Sequence, residues 1–238
     1  MKFVSGVRGN PYHSRQLYHE IVMLSVPPIS LSLITPSHIP TNDPIPMGKL
    51  DPHILAEFEP LIRAEAAKEF ALQDDARARR NTREYGFSFF KMVNGDFSYS
   101  PPPEFFQRLG AHICQALGHE PVEFTNIIFS VYEKGFHLNP HVDVNKKDLR
   151  GTAPFYFGER VYGLVIEPDP TGHLYFAKWE GKEWSPPVDI EPVYSIDEKA
   201  GTVFCLEGDF RRSPYFHAVS PVSNKRISLT FRTVERIQ

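Results

Sequence analysis

The chain has only two cysteines, Cys114 and Cys205, in apolar surroundings and with no CxxC spacing, so neither a disulfide framework nor a zinc knuckle is indicated. It has no strong charge of either sign: the net charge of -3 leaves any nucleic-acid or anionic-membrane partner dependent on a local patch. Long hydrophobic runs are also missing. The most apolar stretch, IVMLSVPPISLSLI at 21–34, covers 14 residues and carries two prolines at its centre, too short and too broken to cross a bilayer. The opening MKFVSGVRGNPYHSR lacks the apolar core of a secretory signal, so a cytoplasmic location without membrane partners is the expectation. Nucleophile and phosphate motifs are absent too: there is no GxSxG, GxxxxGK, GxGxxG or HExxH.

What is present divides the chain. Residues 1–50 are rich in proline and serine and give little periodic signal, which reads as an irregular extension preceding one domain over 51–238. Asp51-Pro52 is a helix cap and first-turn pair, followed by Ile54, Leu55, Phe58, Leu61 and Ile62 at helical spacing; Pro60 predicts a kink or two consecutive helices. A second helix starts after SPPP, buries Phe105, Leu109, Ile113, Ala116 and Leu117, and stops at Gly118. From Phe124 the runs FTNIIFSVY, RVYGLVIE, HLYFAKW, PVYSI, GTVFCLE and RISLTFRTV are short strands between turns. Helices first and strands later predict an α+β fold with helices packed on a sandwich or barrel.

The chemistry sits in two places. In HLNPHVDV, His141 and Asp143 are two apart, so on a strand they share a face and can share a metal ion. With ten histidines in the chain this pair alone is weak, because chance supplies an HxD in about a third to a half of such sequences. Two histidines and a carboxylate on one side of a metal form the facial triad of non-haem Fe(II) oxygenases, and His217, 74 residues after Asp143, is the candidate third ligand. Nine residues later RISLTFR alternates, with Ile227, Leu229 and Phe231 on one face and Arg226, Ser228, Thr230 and Arg232 on the other. A buried arginine needs a partner. Arg226 with Ser228 would hold the carboxylate of a co-substrate; the alternative is a structural ion pair for Arg226 and a solvent-facing position for Arg232.

His-x-Asp, a distal histidine and Arg-x-Ser nine residues on resemble the Fe(II)/2-oxoglutarate dioxygenase superfamily. GDFRRSPYFHAV with RISLTFR, and YEKGFHLNPHVD with Tyr132 nine before His141, are most similar to its AlkB-like branch, although Ser130 and Ser228 stand where that branch usually has asparagine. REYGFSF and SPPPEFFQRL resemble the substrate-lid strand and following helix of that branch, giving a candidate lid at 77–100. The resemblance implies a double-stranded β-helix (jelly-roll) core with the N-terminal helices on one sheet. It implies Fe(II) on His141, Asp143 and His217, with O2 as oxidant. It further implies 2-oxoglutarate as co-substrate, its distal carboxylate on Arg226 with Tyr132 and Ser228, and Arg232 nearer its metal-bound end.

Substrate is less defined. An alkylated nucleobase would use phosphate contacts from Arg77, Arg79, Arg80 and Arg83, with Tyr85, Phe87 or Phe89 stacking on a flipped base. The competing explanation makes these arginines a solvated helix end paired with Asp74 and Asp75 at helical spacing. Lys146, Lys147 and Arg150 would face substrate or form a polar loop. The same chemistry on a small molecule, amino acid or peptide side chain is the second reading, and a non-catalytic jelly-roll binding module the third. Nothing in the sequence sets an oligomeric state.

Overall fold

Among the described residues, twelve strands form one continuous antiparallel sheet, and the two longer helices pack on one of its faces. The computed structural model describes residues 44–75, 78–143, 155–181 and 186–236, all within one compact unit that spans Pro36–Gln238. The apolar run at 21–34 and the charged positions Arg77, Lys146, Lys147 and Arg150 lie outside the described residues.

In chain order the strands are β1 (Met47–Lys49), β2 (Ala71–Asp74), β3 (Ala78–Phe87), β4 (Tyr99–Ser100), β5 (Asn126–Glu133), β6 (His137–His141), β7 (Phe155–Glu167), β8 (Leu174–Lys178), β9 (Tyr194–Ser195), β10 (Thr202–Leu206), β11 (Tyr215–Val219) and β12 (Lys225–Arg236). The helices are α1 (Pro52–Ala66), α2 (Phe89–Met92) and α3 (Glu104–Ala116), with a short 3-10 turn at Gly208–Arg211. Hydrogen bonding runs β1-β10-β7-β12-β5-β3-β6-β11-β8-β9, while β2 and β4 attach to β3. From β5 onward the chain therefore deals its strands into two halves, β10-β7-β12-β5 and β6-β11-β8-β9. Eight strands so distributed form a jelly-roll, the expected double-stranded β-helix.

The period of two along each strand decides what fills each side. Ile227, Leu229 and Phe231 of β12 and Ile127, Phe129 and Val131 of β5 join Phe58 and Ile62 of α1 and Phe106, Leu109 and Ile113 of α3 in the largest apolar cluster. The opposite face turns inward between the two halves, where Val161, Val165, Leu174, Phe176, Phe204 and Leu206 pack around Tyr132. The helices thus cover one sheet, as expected, and the polar face of β12 is enclosed rather than solvated.

The predicted helices start and stop where the cap residues place them. Asp51 caps α1 by accepting from the His53 N–H at 2.7 Å. Gly118, at φ +72°, follows α3. Pro60 stays inside one unbroken α1, so the two-helix alternative is not adopted. Gly110 matters for a different reason: a Cβ there would lie 2.5 Å from the Phe124 ring, which is itself 1 % exposed. Gly110→Ala should therefore cost about 1–3 kcal/mol despite alanine's better helix propensity, and a urea midpoint at or above that of the unaltered chain would refute this packing.

Two boundaries shift. The sheet begins before residue 51, because Met47–Lys49 pair with β10 and Ile45 and Leu50 are buried. The candidate lid is a wall: β3 pairs with β5 through Asn81–Gly86 and with β6 through Ala78 and Arg79, bridging the halves of the jelly-roll. The charged tract before it is a hairpin rather than a helix end. Asp74 sits opposite Arg79 in the β2–β3 register, and their ion pair at 3.5 Å is a cross-strand one.

Candidate metal centre

His141 ends β6, and His217 faces it directly across the β6–β11 ladder. Their ring centroids are 4.2 Å apart. Asp143 follows two residues after His141, with its Oδ1 3.8 Å from His141 Nε2. One nitrogen or oxygen from each of the three lies within 4.8 Å of the others, in the only such group of three metal-binding side chains among the described residues. Two histidines and a carboxylate in this geometry suit a divalent transition metal with open positions.

The surroundings prepare the ligands. His141 Nδ1 lies 2.9 Å from the Asn139 carbonyl, which accepts its proton and leaves Nε2 as the metal-facing nitrogen. Burial lowers the pKa of both imidazoles, and for His217 the neighbouring His141 lowers it further. Both are thus neutral at pH 7, the form that binds metal. Burial acts to raise the Asp143 pKa, but the Arg232 charge, followed by His217 and Arg211, outweighs it and holds the carboxyl well below its ordinary range. Arg232 Nε donates to Asp143 Oδ2 at 3.0 Å, and Arg211 Nη1 donates to the Asp143 backbone carbonyl at 2.9 Å. Asp143 and His217 are 9 % and 6 % exposed, whereas the His141 side chain is 29 % exposed, so the site opens on the His141 side.

The inward face of β12 carries the rest of the predicted set. Arg226, Ser228 and Arg232 are all buried there, opposite Tyr132, Ser130 and Asn126 of β5. Arg232 lies at the metal end through its bond to Asp143, so its solvent-facing alternative is excluded. Arg226 is at the other end, with its guanidinium 5.4 Å from the Tyr132 ring centroid. It also forms the structural ion pair that was the alternative for it: Nε donates to Glu198 Oε2 at 2.7 Å, Nη2 to Glu198 Oε1 at 2.6 Å and Nη1 to Ser228 Oγ at 2.7 Å. Burial disfavours the charge on Arg226, but Glu198 more than offsets it and the pKa stays raised.

The predicted substrate residues do not stay together. The alternation of β3 sends Arg83 and Tyr85 to the helix side, the face opposite the candidate metal site. Tyr85 donates to Glu65 Oε2 at 2.6 Å and packs on Phe106, and Arg83 lies over Phe70 and 3.5 Å from Glu65. Phe87 follows Gly86, whose φ of +78° breaks the alternation, and it packs edge-on against Tyr99. Arg80 alone of the four faces inward, donating to Gln73 Oε1 at 3.0 Å and to Ser130 Oγ at 3.4 Å.

Three residues given no role of their own in the motifs complete the site. Arg211 braces Asp143. Glu198 occupies Arg226. Glu84, on the inward face of β3, has a pKa raised by burial and an Oε1 without a hydrogen-bond partner, while its Oε2 accepts from Ser88. Glu84 also lines a cleft of about 650 Å³ with Asp74, Asp75, Thr82 and Lys91.

No protein-family model and no curated protein sequence matches the chain. Among solved structures, that of OsALKBH1 aligns over 81 % of this chain and 100 % of its own, with a TM-score of 0.54 at 15 % identity. A Pseudomonas putida prolyl-4-hydroxylase aligns over 80 % and 94 % of the two chains, with a TM-score of 0.46 at 18 % identity. The first of these likenesses bears out the jelly-roll fold. What the site does rests on its own residues.

Proposed function

We propose that the chain is a non-haem Fe(II) oxygenase of the 2-oxo-acid-dependent kind, which hydroxylates a C–H bond of its substrate. The observation that carries this reading is the His141, Asp143 and His217 group, its Asp143 and His217 buried and its His141 partly exposed, with a cation, Arg232, on its carboxylate. Fe(II) bound there supplies activation of O2, with the 2-oxo acid as reductant. The chain's own contribution is positional. Asn139 fixes the His141 tautomer, Arg232 and Arg211 fix both ends of Asp143, and Phe157, stacked on the Arg232 guanidinium at 5.1 Å, keeps water from that side. Where the hydroxylated carbon is attached to nitrogen, the product loses it as an aldehyde, and the outcome is demethylation.

The metal fits these residues; 2-oxoglutarate fits them in part. Its metal-proximal end would meet Arg232, as the resemblance implies, but its distal carboxylate finds Arg226 already bonded to Glu198.

Of the two substrate classes, a small molecule, amino acid or peptide side chain is better supported than an alkylated nucleobase. Arg79 and Arg83 are engaged with Asp74 and Glu65, and the cleft on β3 carries three carboxylates, Asp74, Asp75 and Glu84, against two cations, Arg83 and Lys91. Carboxylates there would repel a phosphate backbone. Polyanion binding that weakens steeply with salt would reverse this preference.

The test is direct. Anaerobic titration with Fe(II) or Mn(II) should show one tight site per chain, and His217→Ala should weaken it by about 100-fold or more by removing a ligand. O2 consumption that requires a 2-oxo acid should vanish with it. Equal metal affinity in the variant would refute the assignment.

A further inference from the structure

The guanidinium of Arg226 is bonded through all three of its nitrogens. Two go to the Glu198 carboxylate and one to Ser228, and the Arg226 and Glu198 side chains are 2 % and 1 % exposed. Glu198 is equally fixed: Oε1 also accepts from the Leu174 N–H at 2.9 Å. The loop that delivers it is pinned on both sides. Before it, Ile196 N–H donates to the Leu174 carbonyl at 3.0 Å; after it, Lys199 N–H donates to Thr202 Oγ1 at 2.9 Å and Gly201 N–H to the Val165 carbonyl at 2.8 Å. The glutamate is therefore built into this position and not a surface side chain folded back by chance.

We propose that Glu198 fills the seat of a second carboxylate, so that the co-substrate site gives 2-oxoglutarate no advantage over a 2-oxo acid with a single carboxylate. This rests on the oxo-acid reading above and makes Glu198 a specificity-determining residue. The argument is one of exchange. A carboxylate arriving at Arg226 must displace Glu198, and the two charge-assisted bonds it makes replace the two that Glu198 loses. The arginine therefore contributes nothing net. The displaced glutamate either stays buried without its cation, which costs more than an ordinary hydrogen bond returns, or pulls its loop away from Leu174. A 2-oxo acid with no second carboxylate avoids the exchange. Charge at Arg226 itself points the same way: Arg226 and Glu198 already neutralise each other, so this guanidinium offers a second carboxylate no unpaired charge.

The experiment uses the full chain loaded anaerobically with Mn(II), which binds without supporting turnover. Calorimetry compares 2-oxoglutarate with 2-oxopentanoate, a chain of the same length with one carboxylate, on the unaltered protein and on Glu198→Gln and Glu198→Ala. On the unaltered protein the two affinities should agree within about threefold. Either substitution frees the guanidinium and should raise the affinity for 2-oxoglutarate by about tenfold or more, leaving that for 2-oxopentanoate within about threefold. The glutamine variant keeps the side-chain volume, and the comparison on the unaltered protein needs no variant. A tenfold or larger preference of the unaltered protein for 2-oxoglutarate would overturn the proposal, as would Mn(II)-loaded variants with no gain. If the unaltered chain binds no Mn(II), or binds Mn(II) and neither oxo acid, the oxygenase reading itself fails, and this inference with it.

Discussion

Replacing Arg232 with methionine should destabilise the metal-free chain by about 3–5 kcal/mol, the usual cost of removing one partner from a buried ion pair. The two side chains of the Arg232–Asp143 pair are 7 % and 9 % exposed. Arg232 also donates to Thr230 Oγ1 at 3.1 Å and lies 3.4 Å from Asn126 Oδ1. Methionine retains much of the packing against Phe157 but none of the charge. Asp143 would then be a buried carboxylate that has lost the guanidinium donating to its Oδ2, while Arg211 still holds its backbone carbonyl. A divalent ion changes that balance, because it puts positive charge on the same carboxylate. Mn(II) should therefore bind Arg232→Met more tightly than the unaltered chain, and at the same free concentration stabilise it by more, narrowing the gap between them. Urea unfolding with and without Mn(II) reads both quantities. A variant as stable as the parent without metal would show that the pair does not hold the site together, and a gap unchanged by metal would show that Asp143 is not a ligand.

The parts of this architecture that local pattern determines could be read from the sequence. β12 declares its two faces because every second residue from Ile227 to Phe231 is apolar, and the structure buries both sets, one against helices and one against the site. The caps at Asp51 and Gly118 mark helix ends for reasons of backbone chemistry that need no tertiary context. His141, Asp143 and His217 come together because the first two share a strand end and the third lies on the neighbouring strand, a juxtaposition the spacing allowed but did not require.

What escaped the sequence depends on pairings between distant segments. The run from Asp74 to Arg83 has charges spaced for a helix, yet hairpin pairing places Asp74 across from Arg79. Once β3 is a strand, its odd and even positions part company, and Arg83 and Tyr85 turn from the substrate side to the helices while Arg80 and Glu84 turn inward. The same holds for Glu198. In DEKAG it reads as one more turn carboxylate, and only the register between β9, β8 and the loop before β10 brings it to Arg226. The sequence asked which carboxylate a buried arginine would meet, and the fold answered with one of its own.

A second acid, Asp169, should have an effect as large as Arg232 at the same end of the barrel as Arg226. It is 5 % exposed. Its Oδ1 accepts the backbone N–H groups of Thr171, Gly172 and Ser223 at 2.9, 2.7 and 3.0 Å, and its Oδ2 that of Asn224 at 2.8 Å. One carboxylate thus joins the β7–β8 turn to the β11–β12 turn, just before the strand that carries Arg226. Asp169→Ala strands four donors at once. At about 1–3 kcal/mol for each buried group left unpaired, and less than additively where water enters, a total loss of about 3–5 kcal/mol is expected. Asp169→Asn keeps one good acceptor but turns an amide against a backbone N–H, and should fall between. The acid dependence follows from the same bonds. Burial acts to raise the Asp169 pKa, but the four backbone donors outweigh it and hold it well below the ordinary value. A carboxyl depressed in the folded state stabilises fully above its unfolded pKa of about 3.9, and loses that contribution as pH falls through the folded value. Urea midpoints of the unaltered chain should therefore converge on those of Asp169→Asn between about pH 4 and pH 2. Parallel curves over that range would mean that the carboxylate is not what ties the two turns together.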